Sequence, residues 1–196
     1  GIHITGVGSY IPSHKEKNQD FLAHTFLDDS GKPFGADNGD IIEKFKAITG
    51  IEERRYAKPH QTASDLAFLA AEKAIEDASL DPETLDYIIV AHNFGDIQHG
   101  CIQTDILPSL ATRVKHNLQI KNPNCVAYDL IFGCPGWVEG VIQAKAFIKS
   151  GMAKRCLVIG ADTLSRIADQ NDRDAMIFAD GAGATIIEET KEAGGV

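Results

Sequence analysis

The sequence passes from strand to helix within one short stretch, DLIFGCPGW at positions 129–137. The apolar residues around its start predict a strand over 125–130, and the periodicity after it predicts a helix over 136–150. Pro135 suits the first position of that helix, which would make Cys134 its N-cap residue. A strand that leads through a glycine turn straight into a helix is typical of an α/β domain.

Strands and helices alternate on both sides of this stretch. The helix that begins near Thr62 has a face of small residues that suits close packing on a sheet, and a further helix is predicted over 107–118. Residues 13–40 are polar and predict a surface excursion with one helical turn around Phe21. The remaining predicted strands span 2–8, 87–91, 156–161 and 183–187. We therefore predict an α/β fold with a mostly parallel five-stranded sheet and helices on both faces.

Composition restricts the class of protein. The chain has 196 residues and a net charge of −9, which argues against a general nucleic-acid or anionic-membrane binder. No apolar run approaches the roughly 18–20 residues that a membrane helix needs, and the first residues lack the pattern of a secretory signal. The spacing of Cys101, Cys125, Cys134 and Cys156 fits neither a zinc site nor a disulfide framework. We therefore expect a cytoplasmic protein with no bound metal.

Cys134 is the strongest candidate for chemistry. A thiol at the start of a helix faces unpaired backbone N–H groups and the positive end of the helix dipole, and both stabilise the nucleophilic thiolate. Gly133 and Gly136 allow a substrate to approach the backbone closely, and the same N–H groups could stabilise an oxyanion. The alternative interpretation is a buried structural cysteine in a tight turn.

Several segments match one known family in order along the chain. They are GVGSYIP at 6–12, TGIEERR at 49–55, PS at 108–109 followed by Ala111, DLIFGCPG at 129–136, and DR at 172–173 followed by FADGAGA at 178–184. The chain therefore resembles the N-terminal half of a β-ketoacyl-acyl-carrier-protein synthase III, within the thiolase-like superfamily.

The resemblance implies a function. Cys134 would accept an acyl group from a thioester and then take part in decarboxylative Claisen condensation with a malonyl-type thioester on an acyl carrier protein, as in fatty-acid or polyketide-like biosynthesis. It implies a homodimer in which Leu107 reaches the acyl pocket of the partner. It also implies that Arg166 matches an arginine that contacts the adenine of coenzyme A. No bound cofactor is expected, because coenzyme A and carrier thioesters are substrates.

Two departures from the family pattern affect the substrate. The family's Ala-Cys-x-Gly-Phe is GCPGW at 133–137 in this chain. The Trp and Arg that hold the adenine of coenzyme A in the family would fall near Lys44 and Ile48, and neither residue type is kept. A carrier-bound or other thioester is therefore favoured over coenzyme A as the direct acyl donor.

The domain expectation follows from the same resemblance. Residues 1–190 would form the nucleophile-bearing domain and 191–196 a linker towards a C-terminal half that carries the family's His and Asn. We expect little condensing activity from this chain alone, and we interpret His92 and Asn93 as a loop pair near the cleft rather than replacements. Two alternatives remain, a related thiolase-superfamily acyltransferase with a different product and a non-catalytic pairing module.

Overall fold

A computed structural model describes residues 1–191 and 195, and a five-stranded sheet forms its centre. The elements in chain order are β1 (Ile2–Tyr10), β2 (His14–Lys17), α1 (Asn38–Thr49), β3 (Glu53–Tyr56), α2 (Ala63–Asp77), β4 (Tyr87–His92), β5 (Asp96–Ile97), β6 (Thr104–Asp105), α3 (Leu110–Asn117), β7 (Val126–Ile131), α4 (Gly136–Lys149), β8 (Arg155–Thr163) and β9 (Asp180–Glu189). Short 3-10 helices lie between some of them, at Asn18–Ala23, Pro82–Thr84, Leu164–Arg166 and Arg173–Ile177. Within this described part, no helix is long and apolar enough to cross a membrane.

The central sheet has the order β1-β9-β8-β4-β7. β4 runs parallel to both β7 and β8, whereas β9 runs antiparallel to both β8 and β1. The α/β class and the five strands are confirmed, but "mostly parallel" is corrected to a mixed sheet. The segment 164–179 between β8 and β9 contains only short 3-10 helices. Without a crossover helix, the chain returns antiparallel beside β8.

Helices cover both faces of the sheet, as predicted. On one face α2 presents its small residues, and Ala67, Ala70 and Ala74 are fully buried there together with residues of α3. A side chain at Gly8 of β1 would collide with the carbonyl oxygen of Ala70, so the glycines of β1 allow this close contact. On the other face, α4 buries Val141 against the sheet, within a second cluster of apolar side chains.

The sequence interpretation missed structure between residues 14 and 56. The predicted helical turn around Phe21 is present as the 3-10 helix Asn18–Ala23. The excursion also contains β2, which pairs with β3, and the start of α1. Phe21 and Ile41 belong to a third apolar cluster there, which includes Met176 from the segment after β8.

Helix boundaries also differ from the predictions. α3 begins at Leu110 rather than 107, because the Ser109 side chain accepts a hydrogen bond from the N–H of Thr112 and acts as the N-cap. Of the proposed linker 191–196, residues 192–194 and 196 lie outside the described residues.

Candidate active site around Cys134

Cys134 lies in the turn between β7 and α4. Gly133 has a φ of +67°, a conformation that L side chains rarely adopt, and its carbonyl accepts a hydrogen bond from the N–H of Gly136 at 3.0 Å. This turn moves the start of α4 by one residue, so the N-cap is Pro135 and the prediction of Cys134 as N-cap is wrong. Cys134 is exposed, two residues before the first helical residue.

The four cysteines divide into two groups by exposure. Cys125 and Cys156 are buried, and burial raises the pKa of both thiols, that of Cys156 to about 12. Cys101 and Cys134 are exposed. The alternative of a buried structural cysteine therefore does not describe Cys134.

Cys134 lines a cleft of about 390 Å³ whose lining residues include four glycines and four alanines. The cleft opens at the carboxyl ends of β4 and β8, where ligands commonly bind in α/β sheets. Its other lining residues come from these strand ends, the start of α4 and the start of β9: Ala91, Asn93, Gly133, Trp137, Gly160, Ala161, Asp162, Leu164, Ala179, Asp180, Gly181, Ala182 and Gly183. A substrate in this cleft would therefore meet small side chains on several sides.

Asn93 and Asp162 form a pair inside the cleft. The backbone N–H and the Nδ2 of Asn93 donate to the two carboxylate oxygens of Asp162 at 2.9 and 2.6 Å. Burial raises the pKa of Asp162, and these two hydrogen bonds act in the opposite direction. Because Nδ2 of Asn93 is directed to Asp162, its Oδ1 faces Gly133. A Cβ added at Gly133 would lie 3.6 Å from this oxygen. Asn93 thus presents a fixed acceptor beside the cysteine turn.

His92 is separated from this cleft, although it precedes Asn93 directly. It is the last residue of β4 and 1% exposed. The N–H of Gly95 donates to its Nδ1 at 2.9 Å, so the ring proton lies on Nε2 and is donated to Asp129, also at 2.9 Å. Of the pair predicted near the cleft, only Asn93 lines it.

Neither Leu107 nor Arg166 lines the cleft of Cys134. Leu107 is 82% exposed and lies two residues before Ser109, the N-cap of α3. Arg166 donates to the carbonyls of Ile97 and Lys58 at 2.5 and 2.9 Å, and burial lowers the pKa of its guanidinium. It lines a second cleft, of about 900 Å³, together with Cys101.

Lys44 and Ile48, the positions expected at the adenine end of coenzyme A, do not line the same cleft as Arg166. Lys44 and Ile48 line a third cleft, of about 400 Å³, with Arg173, whose guanidinium lies 4.5 Å from the ring centre of Phe34. The sequence analysis cited Arg173 within the DR motif and missed this grouping. The signal that could have found it is the position of the DR pair after β8, opposite α1.

Comparisons with known proteins agree with this arrangement. Residues 128–196 match the family model described as 3-oxoacyl-[acyl-carrier-protein (ACP)] synthase III. The β-ketoacyl-[acyl-carrier-protein] synthase III of Neisseria gonorrhoeae is 39% identical over 192 residues, which are 97% of this chain and 53% of that protein. A synthase III of Vibrio parahaemolyticus is 40% identical over 192 residues, covering 97% of this chain and 54% of that protein.

A solved structure gives the same result for the fold. The crystal structure of 3-oxoacyl-[acyl-carrier-protein] synthase III from Aquifex aeolicus superimposes with a TM-score of 0.78 at 33% identity, over 98% of this chain and 55% of that one. The chain thus spans about half the length of the relatives that it matches. The resemblance inferred from the motifs and the thiolase-like α/β fold are both confirmed.

Proposed function

From this resemblance we propose that the chain is the nucleophile-bearing part of a condensing acyltransferase of the β-ketoacyl-acyl-carrier-protein synthase III type. The observation that carries the proposal is the setting of Cys134. It is an exposed thiol in a cleft lined largely by glycine and alanine, between a strand of the central sheet and the start of a long helix. The two buried cysteines lack that access.

In the first step that we propose, the Cys134 thiolate attacks the carbonyl carbon of an acyl thioester. A bond from Sγ to that carbon forms, the bond to the leaving sulfur breaks, and the leaving thiolate takes up a proton. Backbone N–H groups of the Gly133 turn and the first turn of α4 would stabilise the oxyanion. The glycines and alanines that line the cleft support this assignment, because their small side chains leave room for a substrate beside the backbone.

In the second proposed step, a malonyl-type thioester on an acyl carrier protein loses CO₂ and leaves an enolate. The enolate carbon attacks the acyl carbonyl on Cys134, a carbon–carbon bond forms, and the bond to Sγ breaks to return the thiolate. The product is a 3-oxoacyl thioester. This step needs a group that stabilises the enolate.

Neither His92 nor Asn93 is available for that role. Both ring nitrogens of His92 are already hydrogen-bonded, to Asp129 and to the N–H of Gly95. The side-chain donor of Asn93 is directed to Asp162. We therefore propose that a second, C-terminal half supplies the His and Asn of the family, and that residues 1–190 alone have little condensing activity.

The outer face of α4 supports a covering second half. Val138 and Ile142 are 51% and 54% exposed, next to the cysteine turn. Burial of one such side chain contributes about 1.5–3 kcal/mol, so a chain that leaves both in water should be less stable and less soluble.

We further propose a homodimer that forms at the open edge of the central sheet. β7 is an edge strand, and its Val126 and Ile131 are exposed. In this arrangement Leu107 would enter the acyl pocket of the partner. Sedimentation of the full-length protein at micromolar concentration should show a dimer, and a monomer would contradict this part of the proposal.

The partners and the setting complete the proposal. The acyl carrier protein and an acyl thioester are the expected partners, with no bound cofactor, in a reducing cytoplasm where the four cysteines stay free. Lys44 and Ile48, at the positions of the family's adenine-holding residues, favour a carrier-bound or other thioester over coenzyme A as donor.

The test is product analysis with the full-length protein. Incubation with an acyl thioester and a malonyl-carrier protein should give a 3-oxoacyl thioester by mass spectrometry, and Cys134→Ala should give none. An ester, an amide or a different condensation product would favour a related acyltransferase. Failure to form either an acyl adduct or a product would favour a non-catalytic pairing module.

A further inference from the structure

One arginine of α3, Arg113, holds both ends of the segment that carries Leu107. Its Nη1 donates to Asp96 at 2.8 Å, its Nη2 donates to Asp105 at 2.9 Å, and its Nε donates to the carbonyl of Pro108 at 2.9 Å. Two of these contacts lie before Leu107 in the chain and one lies directly after it. The guanidinium therefore uses all three of its nitrogens on this one segment.

We call Arg113 and its three partners, Asp96, Asp105 and Pro108, the Arg113 clamp. Asp96 connects this clamp to the core. The Asp96 side chain is 3% exposed, and its carboxylate also accepts hydrogen bonds from the backbone N–H and the hydroxyl of Ser64, at 2.7 and 2.5 Å. Ser64 lies in the first turn of α2, which packs against the central sheet. The position of Arg113 is thus tied to a helix that packs in the buried core.

The outer end depends on the charge of Arg113. Asp96 and Asp105 are direct partners in the antiparallel β5–β6 pair. Like charges opposite one another destabilise a strand pair, so a cation between them is needed. The hydrogen bond from Arg113 lowers the pKa of Asp105, which therefore remains a carboxylate and keeps its attraction to the guanidinium.

Leu107 is the side chain that this clamp presents. It is 82% exposed, and the neighbouring Ile106 packs back towards Gly95, where a side chain would collide with its Cγ2. We infer that Arg113 is a positioning residue, which fixes Leu107 at the place from which it enters the acyl pocket of a second copy of the chain. The inference rests on the proposed function for that last role of Leu107, but the clamp itself is a property of this chain.

Arginine is required because the three nitrogens of its planar guanidinium donate to three different acceptors. Lysine keeps the positive charge but has a single nitrogen on a flexible stem, so it cannot reach all three acceptors at once. Arg113→Lys therefore separates the directed contacts from the charge. Asp105→Asn is a second, milder variant at an exposed position: it removes the charge that pairs with Nη2 of Arg113 and changes the carboxylate that the N–H of Leu107 contacts.

The clamp is tested first without reference to activity, by hydrogen–deuterium exchange of the full-length protein. Arg113→Lys should make the amides of residues 104–107 exchange about tenfold faster, since hydrogen bonds to charged groups are lost. Asp105→Asn should give a smaller increase. Arg155→Lys is the matched control, because Arg155 is a partly exposed arginine that pairs with Glu188 on β9, outside this segment. Unchanged exchange in Arg113→Lys would overturn the inference.

The consequence for Leu107 is tested by a double-mutant cycle on acyl chain length. Arg113→Lys should change the ratio of kcat/KM for a short and a long acyl thioester by about threefold or more. In a Leu107→Ala background the same substitution should leave the ratio unchanged, because the side chain through which Arg113 acts has been removed. An equal loss for all chain lengths, or the same shift without Leu107, would overturn the positioning role.

The two measurements separate this inference from the proposed function. A wild-type protein that transfers no acyl group would contradict the proposed function and the role of Leu107, whereas the exchange experiment would still decide whether Arg113 holds the segment.

Discussion

Cys134 and Cys101 are both exposed thiols that line a cleft, but their backbones are held very differently. Cys134 lies between β7, which pairs with β4, and α4, which packs against the central sheet. Cys101 lies in the connection between β5 and β6, where its N–H donates to the carbonyl of Gln98 at 3.0 Å. Cys101 therefore has comparable access to solvent without a helix start beside it.

This difference separates accessibility from catalytic suitability. An exposed thiol can meet a substrate, but stabilisation of a thiolate and of an oxyanion needs N–H groups that are already oriented. We propose that the first turn of α4 supplies such groups near Cys134, because the first N–H groups of a helix have no intrahelical partner. We therefore expect the two cysteines to differ in chemistry, although both are exposed.

The largest expected effect is on acyl transfer. Cys134→Ala should lower the rate in the full-length protein by at least about 1,000-fold, because the variant lacks the thiol that we propose as the acyl acceptor. The measurement is the steady-state rate of acyl transfer from an acyl thioester. Cys101→Ala is the matched control, and it should retain most of the wild-type rate. Equal losses in both variants would remove the distinction between the two sites.

A second substitution tests whether the rigid packing behind Cys134 matters. A Cβ at Gly140 of α4 would lie 2.7 Å from Cγ1 of Val158, so Gly140→Ala should push the helix away from β8. We expect a net loss of about 1–2 kcal/mol in the free energy of unfolding, because overpacking exceeds the gain in helix propensity. Denaturant unfolding measures this loss. Gly35→Ala is the control, since nothing lies within 4 Å of its Cβ position, and a similar loss there would contradict the packing argument.

A third substitution concerns the strand that leads to Cys134. Oδ1 and Oδ2 of Asp129 on β7 accept hydrogen bonds from the N–H groups of Ala111 and Leu110, both at 2.8 Å, so this strand also holds the start of α3. Asp129→Asn places an amide donor against one of these N–H groups and should cost about 1 kcal/mol of stability. Thermal or denaturant unfolding would detect it. Asp29→Asn, at an exposed loop position, should have no such effect.

The smallest expected effect is at the buried cysteines, where none should be seen. At about pH 9 a thiol with a pKa of about 12 still holds its proton, so Cys156 should stay unmodified by iodoacetamide, as should the buried Cys125. Label that appears between neutral pH and about pH 9 should be confined to the exposed cysteines, with Cys134 modified ahead of Cys101. Peptide mapping of the alkylated protein measures this order, and faster reaction of Cys101 would contradict it.

The parts of the fold that sequence reasoning found are those with a strong periodic pattern. The small-residue face of α2 and the apolar runs of β4 and β8 are buried as predicted. α1 was missed because its start lies in the polar stretch 13–40, although Asp37 caps that start and Gly50 ends the helix with a φ of +71°. The antiparallel return of β9 could not be read from apolar runs, because buried parallel and antiparallel strands show the same pattern.

The site divides in the same way. Cys134 was identifiable because the local sequence fixes its turn, and the error at the N-cap was one residue. Asp162 as the partner of Asn93, and Asp96 as the partner of Arg113, join residues far apart in the chain. Local patterns in one sequence carry no record of such pairs, and only the packing of the strand ends brings them together.

The most direct test of the central claim is the location of the acyl group. The full-length protein, treated with an acyl thioester alone and digested, should yield one acylated peptide, with the added mass on Cys134, and the Cys134→Ala variant should yield none. An acyl group on Cys101, or an adduct that persists in Cys134→Ala, would contradict the assignment of Cys134 as the acyl acceptor.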